Sequence, residues 1–314
     1  MKILFMGTPE FAVPILKVLE ESHEVLAVVT QPDRPKGRGQ GVVLSAVKEY
    51  ALERGLTILQ PDKVRKNDEF AETLTALGAD IFVVVAYGQI LPERILKIPP
   101  LGCVNIHASL LPKYRGAAPM QRAILAGETV TGVTIMYMDK GMDTGDMILK
   151  RDMPIGEADR FADVHDKMAE LSCACILEAI KMIGAGTAPR EPQDHDNATY
   201  APMLKKEEGL IDWNGPAERI VNQVRALDPW PGTYTYIDGQ MLKIWECSAW
   251  DGEVSDGAAP GEVLEAKGSL LVMAGDKAVS LSVVQGQGGK RMNAGDYLRG
   301  RSVVVGDILG GAQQ

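Results

Sequence analysis

Short apolar runs separated by amphipathic stretches set the pattern of the first half of the chain. Lys2–Met6, Val25–Thr30, Leu56–Leu59, Ile81–Ala86 and Cys103–His107 are brief and almost continuously apolar. Such runs read as strands buried on both faces, as in parallel sheets. Between them, Phe11–Leu19, Ser45–Arg54 and Phe70–Leu77 carry apolar residues at helical spacing, as does Met120–Ala126 further on. Thr131–Met138 alternates through Val133, Ile135 and Tyr137, and Met147–Ile155 follows as its hairpin partner after the turn Asp143–Asp146. Arg160–Ile183 reads as a long amphipathic helix. Strands and helices in alternation predict an α/β domain with a mainly parallel, doubly wound sheet.

The pattern then changes. Gly184–Pro202 is rich in Gly, Pro, Asp and Asn, with Pro189, Pro192 and Pro202 as breakers. We expect a first domain over residues 1–189, a linker over 190–206 and a second domain over 207–314. In the second domain Glu218–Ala226 has helical spacing. Five short strand candidates follow Pro229-Trp230-Pro231-Gly232: Thr233–Ile237, Met241–Trp245, Gly261–Glu265, Leu270–Ala274 and Val279–Val284. Short strands punctuated by turn residues suggest a small β-barrel.

Bulk properties narrow the class. At 314 residues the chain accommodates about two domains. A hydrophobic fraction of 46% and a charged fraction of 24% are ordinary for a globular protein. No apolar run reaches the roughly 18 residues of a membrane-spanning helix. The apolar stretch at the N-terminus is too short for a signal peptide, so we expect a cytoplasmic protein. Cys103, Cys173, Cys175 and Cys247 are scattered without a CxxC spacing and read as reduced, buried thiols. A net charge of −9 argues against a general nucleic-acid binder and leaves room for a local basic patch.

Candidate chemistry concentrates between residues 105 and 143. Asn105 and His107 lie two apart on a predicted strand, so they project to one face. They do so near its carboxyl end, where open α/β sheets place ligands. Asn105 either ties a loop to the sheet or donates from its amide to an oxygen that gains charge. Asp143 either caps its turn or orients His107 and supports the protonated imidazole. Asp143 and Asp146 invite a metal, but too few hard ligands surround them, and we expect none. His23 reads as a surface residue, His165 as a helix residue and His195 as a linker residue, none with metal-ligand spacing.

Two other segments bear on function. Gly7-Thr8-Pro9 stands where a dinucleotide fold carries GxGxxG, but only one glycine is present. It reads as a tight strand-to-helix turn, with Thr8 as cap and Pro9 in the first helical turn, which disfavours a nicotinamide enzyme. The segment Asp33-Arg34-Pro35-Lys36-Gly37-Arg38-Gly39-Gln40-Gly41 is a flexible basic loop of local charge +2. It is either a solvated surface loop or an arm that grips phosphates.

Taken in order, Asn105-x-His107, Ser109-Leu110-Leu111-Pro112 and Asp143-Thr144-Gly145-Asp146 resemble the signature of the 10-formyltetrahydrofolate-dependent formyltransferases. Gly7-Thr8-Pro9-Glu10-Phe11, Val85-Ala86-Tyr87-Gly88, Arg115-Gly116-Ala117-Ala118-Pro119 and Trp230-Pro231 extend the resemblance over the whole chain. The resemblance implies a Rossmann-like domain followed by an OB-like β-barrel. It implies Asn105, His107 and Asp143 as the catalytic set and Ser109, Leu110, Leu111 and Pro112 as folate contacts. The co-substrate it implies is 10-formyltetrahydrofolate, without a metal. The basic loop, with Arg34, Lys36 and Arg38, is similar to an insertion that engages the acceptor stem of initiator methionyl-tRNA. The resemblance therefore implies formyl transfer to the methionyl α-amine on that tRNA, by a protein expected to be monomeric. Sister enzymes that formylate amino-sugar nucleotides or hydrolyse the formyl donor are the alternative. The basic loop and the C-terminal barrel favour the tRNA. Residues 207–314 hold 9 Lys/Arg against 15 Asp/Glu, with Lys290, Arg291, Arg299 and Arg301 clustered near the end.

Overall fold

A computed structural model describes residues 1–36, 41–254, 257–301 and 303–310. It divides into two compact units. One comprises Met1–Pro119, Val130–Pro154 and His165–Ala201, and the other comprises Met120–Thr129, Ile155–Val164 and the chain from Pro202 onward.

The first unit is built on seven strands: β1 (Lys2–Gly7), β2 (Glu24–Val29), β3 (Ile58–Leu59), β4 (Ile81–Val85), β5 (Cys103–His107), β6 (Val130–Tyr137) and β7 (Met147–Pro154). Their order in the sheet is β7-β6-β5-β4-β1-β2-β3. The five strands from β5 to β3 run parallel, and β6 and β7 add antiparallel neighbours. The α/β, mainly parallel, Rossmann-like expectation is met. Chain direction across the sheet reverses at β1, with β2 on one side and β4 on the other. Ligands of open α/β sheets collect beyond the carboxyl ends of strands at such a point.

Local chemistry explains the elements. Ile3, Leu4, Phe5 and Met6 are all fully buried, so β1 is apolar on both faces. Helices α1 (Val13–Ser22), α2 (Ala46–Glu53) and α3 (Asp68–Leu77) cover the sheet with apolar stripes such as Ile15, Leu16 and Leu19. The Ser45 hydroxyl caps α2 by accepting from Lys48 N at 3.1 Å, and the Asn67 side chain caps α3 by accepting from Phe70 N at 3.0 Å.

The turn after β1 departs from expectation in one respect. Thr8 does not cap a helix: its hydroxyl donates to the Tyr87 carbonyl at 3.0 Å, tying the ends of β1 and β4 together. A 3-10 turn, Glu10–Ala12, capped at Pro9, comes before α1. Gly7 serves close approach, because a Cβ there would lie 2.8 Å from the Phe5 ring and 2.9 Å from Ala12 Cβ. The basic segment, expected as a flexible loop, pairs Arg34–Lys36 with Gly41–Val43 in an antiparallel hairpin, and Arg38 lies outside the described residues.

The second unit is an OB-like antiparallel barrel. Its strands β8 (Thr233–Ile237), β9 (Gln240–Ala249), β10 (Val263–Ala266), β11 (Leu270–Met273) and β12 (Ala278–Gly286) lie in the order β8-β9-β12-β11-β10. The two edges are bridged by the chain end: Gly310 pairs with Tyr236 next to one edge, and Ile308 with Glu262 next to the other. Closing an edge in this way removes unpaired ladder groups. The interior is filled by Leu242, Ile244, Val272, Leu281 and Val284, with the apolar face of helix Ala217–Leu227 packed on it.

Candidate active site

Strand β5 delivers the two predicted side chains. Asn105 pairs across to Val84 on β4 and Met136 on β6, and His107 follows two residues later on the same face. Asn105 is half-buried, and its side-chain amide makes no hydrogen bond to another described residue. His107 is only 5% exposed. Its Nε2 lies 2.9 Å from the Tyr114 carbonyl. A carbonyl only accepts, so Nε2 carries the hydrogen and Nδ1 is the nitrogen left for chemistry.

Asp143 arrives from the loop between β6 and β7. Its Oδ2 lies 3.7 Å from His107 Nδ1, close enough for charge to matter and beyond hydrogen-bonding distance. The same Oδ2 accepts from the backbone N–H of Gly116 at 2.8 Å. Asp143 adopts the left-handed region, with φ 54°. That conformation costs a non-glycine residue about 1–3 kcal/mol and persists only where its surroundings impose it.

Those surroundings include two residues that the sequence pattern did not single out as functional. Gln193 is 5% exposed and donates from Nε2 to the carbonyls of Asp143, at 2.9 Å, and Gly145, at 2.8 Å. Its Oε1 accepts from Arg115 Nε and Nη2 at 3.0 and 2.6 Å. Arg115 is 2% exposed, and its Nη2 also donates to His195 Nδ1 at 3.1 Å. Arg115–Gly116 pairs in parallel with Tyr200–Ala201, so residues 193–201 are built into this corner of the first unit. The signal available in the sequence is slight: a glutamine among breakers, and an arginine beside the small residues Gly116-Ala117-Ala118.

The expected folate loop follows β5 directly. The Ser109 hydroxyl donates to the Lys113 carbonyl at 2.6 Å, while the Ser109 carbonyl accepts from Thr134 Oγ1 at 2.7 Å. Leu111 donates its N–H to that Thr134 hydroxyl at 3.1 Å and buries its side chain against Met136 and Met147. Ser109 and Leu111 therefore hold the loop in shape, while Leu110 and Pro112 are half-buried and present surface. Cys103 lies on the same strand face as Asn105 and His107. Burial pushes its thiol up to about 12, so it is no nucleophile at neutral pH. Among the described residues no group of three or more His, Cys, Asp or Glu side chains gathers to hold a metal ion. In the basic segment, Asp33 is paired with Lys48, whose hydrogen bond holds the Asp33 carboxyl below its usual range.

Comparison with known proteins places the chain in a family. Residues 1–180 match the family model described as formyl transferase, and residues 203–302 match its C-terminal domain. The methionyl-tRNA formyltransferase of Caldanaerobacter subterraneus subsp. tengcongensis is 51% identical over 310 residues, covering 98% of this chain and 100% of that protein. The methionyl-tRNA formyltransferase of Acetivibrio thermocellus is 48% identical, with 99% and 100% covered. Among solved structures, an N-formyltransferase from Helicobacter canadensis in complex with folinic acid and dTDP-3-aminofucose superimposes with a TM-score of 0.67 at 19% identity. That match covers 90% of this chain and 98% of that one. HypX from Aquifex aeolicus in complex with tetrahydrofolic acid gives a TM-score of 0.64 at 20% identity, covering 95% of this chain and 47% of that one. Both structures share the fold.

Proposed function

The chain belongs to the formyl transferase family, and from that premise we propose how its residues carry out the reaction. It transfers the formyl group of 10-formyltetrahydrofolate to the α-amine of methionine on initiator tRNA, a step in translation initiation. The observation that carries the mechanism is the convergence of His107 Nδ1 and Asp143 Oδ2 beyond the end of β5, on the face that also bears Asn105.

The neutral α-amine attacks the formyl carbon, and a new C–N bond forms as the carbonyl electrons move onto oxygen. Asn105 donates from its amide to that oxyanion. His107, protonated on both nitrogens, donates from Nδ1 while Nε2–H stays on the Tyr114 carbonyl. Such a donor is worth about 10²–10³ in rate. Asp143 places a negative charge beside the imidazolium. It also accepts the proton leaving the amine, directly or through a water. As the oxyanion re-forms the carbonyl, the bond from the formyl carbon to N10 breaks, and N10 takes up the proton that Asp143 accepted from the amine, which returns Asp143 to its carboxylate. The reaction calls for no serine or cysteine nucleophile and no metal.

The Ser109–Pro112 loop receives the folate, with Leu110 and Pro112 facing it and Ser109 and Leu111 fixing the loop. Arg34, Lys36 and Arg38 neutralise phosphates of the acceptor stem. Folate binding and chemistry fall to the first unit, into which residues 193–201 of the expected linker 190–206 are built, while 207–314 belong to the second domain. We infer a monomer working in the cytoplasm; no described helix is long and apolar enough to cross a membrane. The deciding assay supplies 10-formyltetrahydrofolate with charged initiator tRNA and, separately, charged elongator tRNA. N-formylmethionine on the initiator is the expected product. Formylation of an amino-sugar nucleotide instead, or release of free formate alone, would reassign the protein to a sister enzyme.

A further inference from the structure

We propose that Gln193 is a positioning residue for Asp143, set in its own orientation by the buried guanidinium of Arg115. This rests on the reading of Asp143 as catalytic.

Hydrogen-bond chemistry leaves one arrangement for the Gln193 amide. Arg115 can only donate, so Oε1 must face it; the carbonyls of Asp143 and Gly145 can only accept, so Nε2 must face them. Both amide hydrogens and both Oε1 lone pairs are then used, on a side chain that is itself 5% exposed. The two carbonyls it grips bracket Thr144, so one side chain clamps the backbone on either side of that residue. Asp143 has a positive φ, a conformation its own backbone disfavours. Its carboxylate is held separately by Gly116 N–H, one residue from Arg115. The short segment Arg115–Gly116 thus controls both ends of the aspartate: the carboxylate directly, and the backbone through Gln193. A displacement of about 1 Å at a reacting group costs on the order of 10²-fold in rate, which is the scale such a clamp protects.

Gln193→Glu separates this role from simple support of the fold. The variant keeps the volume and strengthens the contact with Arg115. It removes both hydrogens offered to Asp143 and Gly145 and sets oxygen against oxygen. We expect kcat to fall about 10–10²-fold, with the KM for 10-formyltetrahydrofolate changed by less than about twofold. Since Gln193 acts through Asp143, the Gln193→Glu change should cost almost nothing further in an Asp143→Asn background. Arg115→Lys supplies a second cycle should Gln193→Glu fail to fold: it keeps the charge, loses the fork that orients Gln193, and should show the same non-additivity. Full additivity in these cycles, or an unchanged kcat in folded Gln193→Glu, would overturn the positioning role. Near-normal turnover of Asp143→Asn alone would instead overturn the catalytic reading of Asp143, so the two failures are distinguishable.

Discussion

The two units bury polar groups in different ways. In the barrel, Thr233 and Thr235 are buried on β8, and each serves a single partner: Thr233 Oγ1 donates to the Gln223 carbonyl at 3.2 Å, and Thr235 Oγ1 accepts from Trp213 Nε1 at 3.0 Å. In the first unit, His107, Ser109, Arg115, Thr134 and Gln193 are buried together around the turns that follow β5 and β6. Their bonds run from segment to segment: His107 to the Tyr114 carbonyl, Ser109 to Lys113 and Thr134, and Gln193 to Arg115 and the Asp143 and Gly145 carbonyls. A buried hydroxyl with one partner satisfies a single group, whereas several such bonds gathered at one corner fix the backbone that carries His107 and Asp143. We propose that chemistry belongs to the first unit and packing to the second, and experiments can press on that division.

The largest expected effect lies at the site. Asn105→Ala should lower kcat about 10²–10³-fold while folate binding, read by fluorescence titration, stays near normal. A variant with unchanged kcat would remove Asn105 from the oxyanion site. In the barrel the same measurements should separate the other way. Ile244→Val should cost about 0.5–1.5 kcal/mol in denaturant unfolding of the barrel and leave kcat within about twofold of the parent. A loss of turnover without a loss of stability would show that the barrel core does more than pack.

Much of the comparison was legible beforehand, for identifiable reasons. β1, β4 and β5 announce themselves because burial on both faces demands continuous apolar residues. Asn105 and His107 could be paired because strand geometry has period two. Asp143 was reachable from its motif, although nothing local shows that its loop closes on β5. Thr8 departs from the cap its neighbours suggest because its hydroxyl has a long-range alternative, the Tyr87 carbonyl, that no window around residue 8 contains. Gln193 was invisible for the same reason. Its partners lie about 50 and 78 residues away, and only an account of where the Asp143 turn sends its carbonyls brings it to light.

Smaller effects sharpen the comparison at its margins. Arg38→Ala should weaken tRNA binding and flatten the dependence of log affinity on log salt by about 0.7–0.9, the share of one phosphate contact. An unchanged slope would take Arg38 off the nucleic acid. The least effect concerns the second unit, where Arg122 Nη2 donates to Glu208 Oε1 at 3.0 Å and that bond holds the Glu208 carboxyl below its usual range. A lowered folded value stabilises fully above the ordinary carboxylate range, and that contribution is lost as pH falls from there through the lowered folded value. The stability difference between parent and Arg122→Leu should therefore be present at neutral pH and shrink on acidification. A difference constant with pH would show that Arg122 contributes by packing alone.

The most direct test of the central claim is a single-turnover measurement of formyl transfer to initiator methionyl-tRNA by His107→Ala, with both substrates saturating. Loss of Nδ1 as a donor predicts a rate about 10²–10³ below the parent with the folate still bound. Transfer at the parental rate by the folded variant would contradict the account.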